Sequence, residues 1–290
     1  MEVMGITVSI ALSSSRRFLD LLSAGFYVVS GYEYRDFLGD FVPFIRFNGP
    51  EGGGVFPLMG DVFLPFSGHY CVWCGVPIGE GAPLNICGDC YSSRRGIRFR
   101  LIVEGYSSFE DSSVFELESD LIYARYVVYI GVFGNKLKVG VSRFDRGGSE
   151  YGFIDRLIEQ GFSSGVAFGL FDLITAQDLE TDIAREFGLL TRLNFKNKLS
   201  ALTSPEFSLS DLEDLAIEVL GFIGGDAQII WFGSFDWSFP LDFDDVWSGD
   251  VLCGEVVGYR GNIVFVSDGS SILAVNLNDL VGRGIVDWEV

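Results

Sequence analysis

Four of the chain's five cysteines form two pairs, Cys71-x-x-Cys74 and Cys87-x-x-Cys90, with twelve residues between the pairs. No other feature narrows what the chain can fold into as much. Each C-x-x-C brings two thiolates to one side of a tight turn, and two such knuckles complete a tetrahedral sulfur shell with sulfur about 2.3 Å from zinc. The same donors could make two disulfides or an iron site, but thiols in a reducing compartment favour zinc. With all four positions filled by protein, the ion is structural rather than catalytic. Gly75 and Gly88 each follow a cysteine of their knuckle and suit the sharp backbone expected there. His69, the single histidine, stands two residues before Cys71 and reads as a bystander. Cys253 has no partner in sequence and reads as a small buried apolar residue.

The chain has 290 residues, 48% of them hydrophobic, which is enough for a real core and for two modest domains or more. Its net charge is -20, so the molecule as a whole repels a phosphate backbone. The charge is uneven. From Asp120 to Ser200 ten cations (Arg125, Lys136, Lys138, Arg143, Arg146, Arg156, Arg185, Arg192, Lys196, Lys198) balance ten acids, and Arg94, Arg95, Arg98 and Arg100 cluster after the last paired cysteine. These are the places where DNA or RNA could land. Met1 to Ile10 has no basic region of the kind that opens a signal peptide, and no apolar run nears the roughly eighteen residues of a membrane span. The expectation is a cytoplasmic protein without a membrane partner.

Along the chain, residues 1–66 read as a β-rich region around one helix over Arg16 to Ser23, with strands at Phe26 to Val29 and Phe41 to Phe47. Pro43 predicts that the second of these is an edge strand or starts late, and Gly52-Gly53-Gly54 reads as a loop. Residues 67–105 hold the cysteine module, and Ser107 to Ser119 reads as a linker. Residues 120–225 form an α/β segment, and 251–290 a small C-terminal β module with strands at Ile263 to Val266 and Ile272 to Val275. The Trp-, Phe- and Asp-rich stretch from Asp226 to Asp250 resists assignment. The fold class expected is α+β.

The pattern is sharpest from Arg125 onward. Arg125 to Phe133 and Lys136 to Ser142 flank Gly134-Asn135, a two-residue hairpin turn. If Phe133 pairs with Lys136, then Val128, Ile130, Val132, Leu137, Val139 and Val141 form one wholly aliphatic face, and Tyr129 and Lys138 become neighbours on the other. Helices are expected from Ser149 to Gly161, from Thr175 with Asp178 as a capping box, over Asn194 to Leu202, and from Ser210 to Gly221. In the second of these, Glu180 shares a face with Ala176, Ile183, Ala184 and Phe187. A carboxylate there is costly unless paired or bound to a metal. A rim position, an ion pair with Arg156 and a functional role all remain open.

The run Tyr126-Val-Val-Tyr129-Ile-Gly, then Lys138-Val-Gly140-Val-Ser142-Arg143, then Asp155-Arg156-Leu-Ile-Glu159-Gln160-Gly161 resembles a prokaryotic family catalogued as domain of unknown function 2797. The cysteine module, Asn194-Phe195-Lys196 and Tyr259-Arg-Gly-Asn-Ile-Val-Phe265 resemble that family too. Its central segment is in turn similar to the GIY-YIG nuclease fold, an antiparallel sheet flanked by helices. The resemblance implies a site in which Tyr129 takes the place of the first tyrosine, Arg156 that of the arginine, Glu180 that of the metal-binding glutamate and Asn194 that of the asparagine. Lys138 falls where the second tyrosine belongs. Lysine binds phosphate as a point charge but acts as a base only when desolvation lowers its pKa. A magnesium- or manganese-type ion on Glu180 is part of what the resemblance implies. The resulting expectation is a zinc-containing nucleic-acid-binding protein with a nuclease-like domain weakened in catalysis. The alternatives are an active metal-dependent nuclease and a scaffold that touches no nucleic acid.

Overall fold

The computed structural model describes residues 27–37, 40–49, 52–104, 118–145 and 151–285. The helix expected over Arg16 to Ser23, most of the linker and the Ser149 cap lie outside them. In chain order the strands are β1 (Tyr27–Phe37), β2 (Asp40–Gly49), β3 (Gly52–Pro57), β4 (Gly60–Tyr70), β5 (Pro77–Ile78), β6 (Tyr126–Phe133), β7 (Lys136–Arg143), β8 (Ser164–Phe171), β9 (Ile229–Ser234), β10 (Asp245–Val246), β11 (Val251–Arg260), β12 (Ile263–Ser267), β13 (Ile272–Asn276) and β14 (Arg283–Ile285). The helices are α1 (Gly88–Ser92), α2 (Arg94–Val103), α3 (Ser119–Ile122), α4 (Phe153–Gln160), α5 (Leu173–Phe187), α6 (Phe195–Leu202), α7 (Leu209–Ile223) and α8 (Leu277–Leu280). The class is α+β, and the chain divides into two units, Met1–Ser93 with Ser238–Val290, and Arg94–Trp237.

In the first unit the strands form one sheet in the order β10-β13-β12-β11-β4-β14-β1-β2-β3, with β5 beside β4. The N-terminal and C-terminal segments, which look separate in sequence, meet where β11 pairs with β4, Leu252 opposite Leu64 and Cys253 opposite Phe63. Alternation along these strands sends Val62, Leu64, Phe66 and Leu252 into a core with Val264, Val266 and Val275. The same alternation turns Cys253 outward, so it is exposed and not the buried residue its sequence suggested. Gly52 to Gly54 open β3 instead of forming a loop. That places β2 between β1 and β3, an interior strand despite Pro43. The carbonyl of Pro43 accepts the N–H of Leu58, just past the end of β3. Its nitrogen faces the same side, so the missing donor removes no bond to β1.

The second unit holds the sheet β7-β6-β8-β9. Its hairpin pairs Phe133 with Lys136 as the turn demands. Gly134 has a φ of 57°, the first-position glycine of a II′ turn, whose twist matches the strands. Val128, Ile130, Val132 and Val139 are buried against Ala176 and Ile183 of α5 and Leu212, Ala216 and Val219 of α7. The opposite face is equally dry, with Val127, Tyr129 and Phe133 all 1% exposed or less, because β6 is buried along its whole length. Helix α5 starts one turn before the expected Asp178 box: Asp172 accepts the N–H of Thr175 and caps it. Ser208, not Ser210, caps α7, which runs through Gly221 to Ile223. The unassigned stretch supplies β9, with Trp231 opposite Ala167 and Phe232 opposite Val166.

Candidate functional site

The sulfur atoms of Cys71, Cys74, Cys87 and Cys90 all lie within 4.8 Å of one another. Cys74 Sγ and Cys87 Sγ are 3.6 Å apart, much longer than a disulfide of about 2.05 Å. A tetrahedron with arms of about 2.3 Å has edges of about 3.8 Å, so the four sulfurs fit one metal ion. The first knuckle is a turn in which Gly75 donates to the Cys71 carbonyl and Cys71 donates to that of Val76. Gly75 has a φ of 74°, as the turn requires. Gly88 instead opens α1, with Cys87 as its N-cap, so the second knuckle is a helix start. The loop between the pairs passes through left-handed Leu84 and Asn85 and is tied to the end of α8, Asn85 Nδ2 donating to the Val281 carbonyl at 3.0 Å. Cys71 is fully buried with Val72 and Ile86 in a small apolar cluster. Burial alone would raise its thiol, yet hydrogen bonds from the backbone of Cys87, Cys74 and Trp73 bring it down to about 6. His69 lies outside the four-sulfur group among the described residues.

In the second unit Tyr129 and Lys138 stand side by side, and the charge of Lys138 acts on Glu180; Arg156 and Asn194 make their contacts elsewhere. Tyr129 faces Gly140 across the hairpin, and a Cβ on Gly140 would sit 2.5 Å from the tyrosine ring and hydroxyl. The glycine therefore lets the ring lie flat across β7. Phe162 closes the other side, its ring centre 6.1 Å from that of Tyr129. Lys138 is 8% exposed. Its Nζ lies 3.4 Å from the Tyr129 hydroxyl, 3.4 Å from Gln160 Oε1, and 5.7 Å from the centre of the tyrosine ring. Residues after α5 run beside β7: Val139 donates to the Leu190 carbonyl and Leu190 to that of Leu137. This brings the α5 side of the unit to the edge where Lys138 stands.

Glu180 is half-buried on α5. Burial pushes its carboxyl above the usual range, against the opposing pull of Lys138 and Arg192. Arg156, on α4, bonds Glu159 at 3.4 Å. Asn194 is exposed and caps α6, its side chain accepting the N–H of Asn197 at 2.8 Å. The arginine cluster on α2 is largely committed within the chain. Arg94 and Arg98 both bind Glu118, which is 2% exposed, and Arg98 also makes a bidentate pair with Asp120. That ties two of the four arginines to carboxylates, although Arg94 stays largely exposed.

Gln160 and Phe162, which touch Lys138 and Tyr129, were not singled out as site residues by the sequence, and Lys198, read only as one of the cations, bonds Gln160. Lys198 had a legible signal, since it shares a helical face with Ala201 and Leu202 at offsets of three and four, the same reasoning that marks Glu180. Phe162 follows the helix stop and carries no local signal. No helix among the described residues is long and apolar enough to cross a membrane. Comparison of the chain with family models, with curated proteins and with solved structures gives no match.

Proposed function

We propose that the chain is a zinc-containing nucleic-acid-binding protein of the domain of unknown function 2797 kind, whose second unit follows the GIY-YIG nuclease plan with a weakened catalytic centre. The observation that carries this reading is Lys138, buried in the second-tyrosine register beside Tyr129. Its ammonium makes two long hydrogen bonds among the described residues, which leaves a proton for a phosphate oxygen. The site thus keeps a phosphate-binding charge where the nuclease would keep a chemical hydroxyl. Glu180 argues in the same direction. A magnesium-type ion is commonly held by one or two carboxylates plus substrate phosphates. Here the Glu180 carboxylate has Lys138 and Arg192 in its field, and a divalent ion would compete with both. Four thiolates at the spacing of a closed tetrahedral shell suit zinc as a structural ion in the first unit.

The test is a gel experiment on the purified chain with single- and double-stranded DNA and RNA and branched junctions, with magnesium or manganese, beside Glu180→Ala. The expected result is binding that weakens steeply with salt, no cleavage, and little change in the variant. Cleavage that Glu180→Ala abolishes would overturn the weakened centre and make the chain an active nuclease. No binding at moderate salt would overturn the nucleic-acid reading and favour a protein scaffold. Metal analysis after purification without added metal should give about one zinc per chain.

A further inference from the structure

The chain contains only four lysines, Lys136, Lys138, Lys196 and Lys198, against sixteen arginines. They come as two Lys-x-Lys pairs, one on β7 and one on α6, and each pair has one buried member, Lys138 at 8% exposure and Lys198 at 2%. Both buried ammonium groups converge on Gln160. Lys198 Nζ donates to the Gln160 main-chain carbonyl at 2.6 Å and lies 5.3 Å from the centre of the Phe133 ring. Lys138 Nζ donates to the Gln160 side-chain oxygen at 3.4 Å.

Gln160 is the last residue of α4, where the final carbonyls lack helical partners and carry the negative end of the helix dipole. An ammonium is the natural complement there. Its burial is nonetheless costly, and the other buried residues of α6, Ala201 and Leu202, are apolar. Charge at position 198 therefore does something a leucine could not. It pins Gln160, whose side-chain oxygen is, with the Tyr129 hydroxyl, one of two acceptors of the Lys138 ammonium among the described residues. We infer that Lys198 is a positioning residue for the Tyr129–Lys138 site: it fixes the end of α4 so that the Gln160 amide holds the Lys138 ammonium beside the tyrosine hydroxyl. This deepens the anion-binding reading of the site and rests on it for its biological meaning. The relay itself concerns only the free chain.

The experiment is therefore made without nucleic acid. The full chain is acetylated with an activated acetate ester, and the rate at each lysine is followed by mass spectrometry. Lys198→Met should speed acetylation of Lys138 roughly tenfold, the worth of one buried hydrogen bond, while Lys136 and Lys196 keep their rates. Lys198→Arg, which can donate to the same carbonyl, should restore protection. Gln160→Met, which keeps the main-chain bond, should match Lys198→Met, and the double variant should go no further than either. An unchanged Lys138 rate in Gln160→Met, or additive effects in the double variant, would overturn the relay. If Lys198→Met does not fold, an unchanged Lys138 rate in Gln160→Met still overturns the relay. Loss of nucleic-acid binding in the wild-type chain would leave the acetylation result standing and would refute the functional reading only.

Discussion

Replacing Arg98 by methionine should cost the second unit more than replacing its partner Glu118 by glutamine, although both remove the Arg98–Glu118 pair; the Asp120 pair that Arg98→Met also removes is exposed and adds little. Glu118 is 2% exposed, whereas its two partners Arg94 and Arg98 are 69% and 32% exposed. Arg98→Met leaves a buried carboxylate with one mostly solvated guanidinium. Stripping one partner from a buried pair costs about 3–5 kcal/mol, and with Arg94 still in place the lower end applies, about 3 kcal/mol. Glu118→Gln removes the charge that was expensive to bury, keeps an acceptor in place, and leaves two arginines that can turn to water. Its cost is that of weakened charge-assisted hydrogen bonds, about 1–2 kcal/mol. At about 3 °C per kcal/mol, the midpoints should fall by roughly 9 °C and roughly 3–6 °C. Calorimetry and urea unfolding of the full chain measure both. The double variant should lie close to Glu118→Gln, because the second substitution then removes an arginine with no buried charge to serve. If Glu118→Gln proved as damaging as Arg98→Met, or if the two costs simply added, burial would not be what sets the value of this clamp.

Four further outcomes follow from the geometry. In the metal-loaded chain a maleimide should label Cys253 alone, and chelation should expose Cys71, Cys74, Cys87 and Cys90 to it and lower the stability of the first unit. Gly140→Val should destabilise the second unit by about 1–3 kcal/mol in urea unfolding, since its side chain would occupy the space of the Tyr129 ring. Glu180→Gln should be more stable than the wild type at pH 7. Burial raises the folded carboxyl above its unfolded value, so ionising it opposes folding, and the gain should vanish as pH falls below the usual carboxylate range. Asp268, whose carboxyl is held down to about 2 by the N–H groups and hydroxyls of Ser270 and Ser271, should behave oppositely: the stability lost in Asp268→Ala at neutral pH should disappear as pH drops from about 4 to about 2.

The local grammar of the chain was legible without coordinates. The cysteine spacing placed four thiols together because a C-x-x-C turn depends on its own few residues. The pairing of Phe133 with Lys136 followed from Gly134-Asn135, and with it the aliphatic stripe from Val128 to Val141, because a two-residue turn fixes the register of everything after it. The helix expected over Asn194 to Leu202 formed, with Asn194 as its cap rather than its first residue. Boundaries slipped where two capping residues competed, as Asp172 did with Thr175 and Ser208 with Ser210. What only the tertiary structure decided was which strands and charges meet across long stretches of chain. Nothing near Leu252 specifies Leu64, and nothing near Pro43 reveals that β3 ends in time to spare its missing N–H. The basic run from Arg94 to Arg100 was half engaged within the chain, because Glu118, some twenty residues on, came back to hold two of the four. Lys138 could be placed beside Tyr129 from the hairpin alone. Its hold on Gln160, and that of Lys198, arises because the end of α4 meets both β7 and the first turn of α6, and sequence periodicity orients a side chain without choosing its partner.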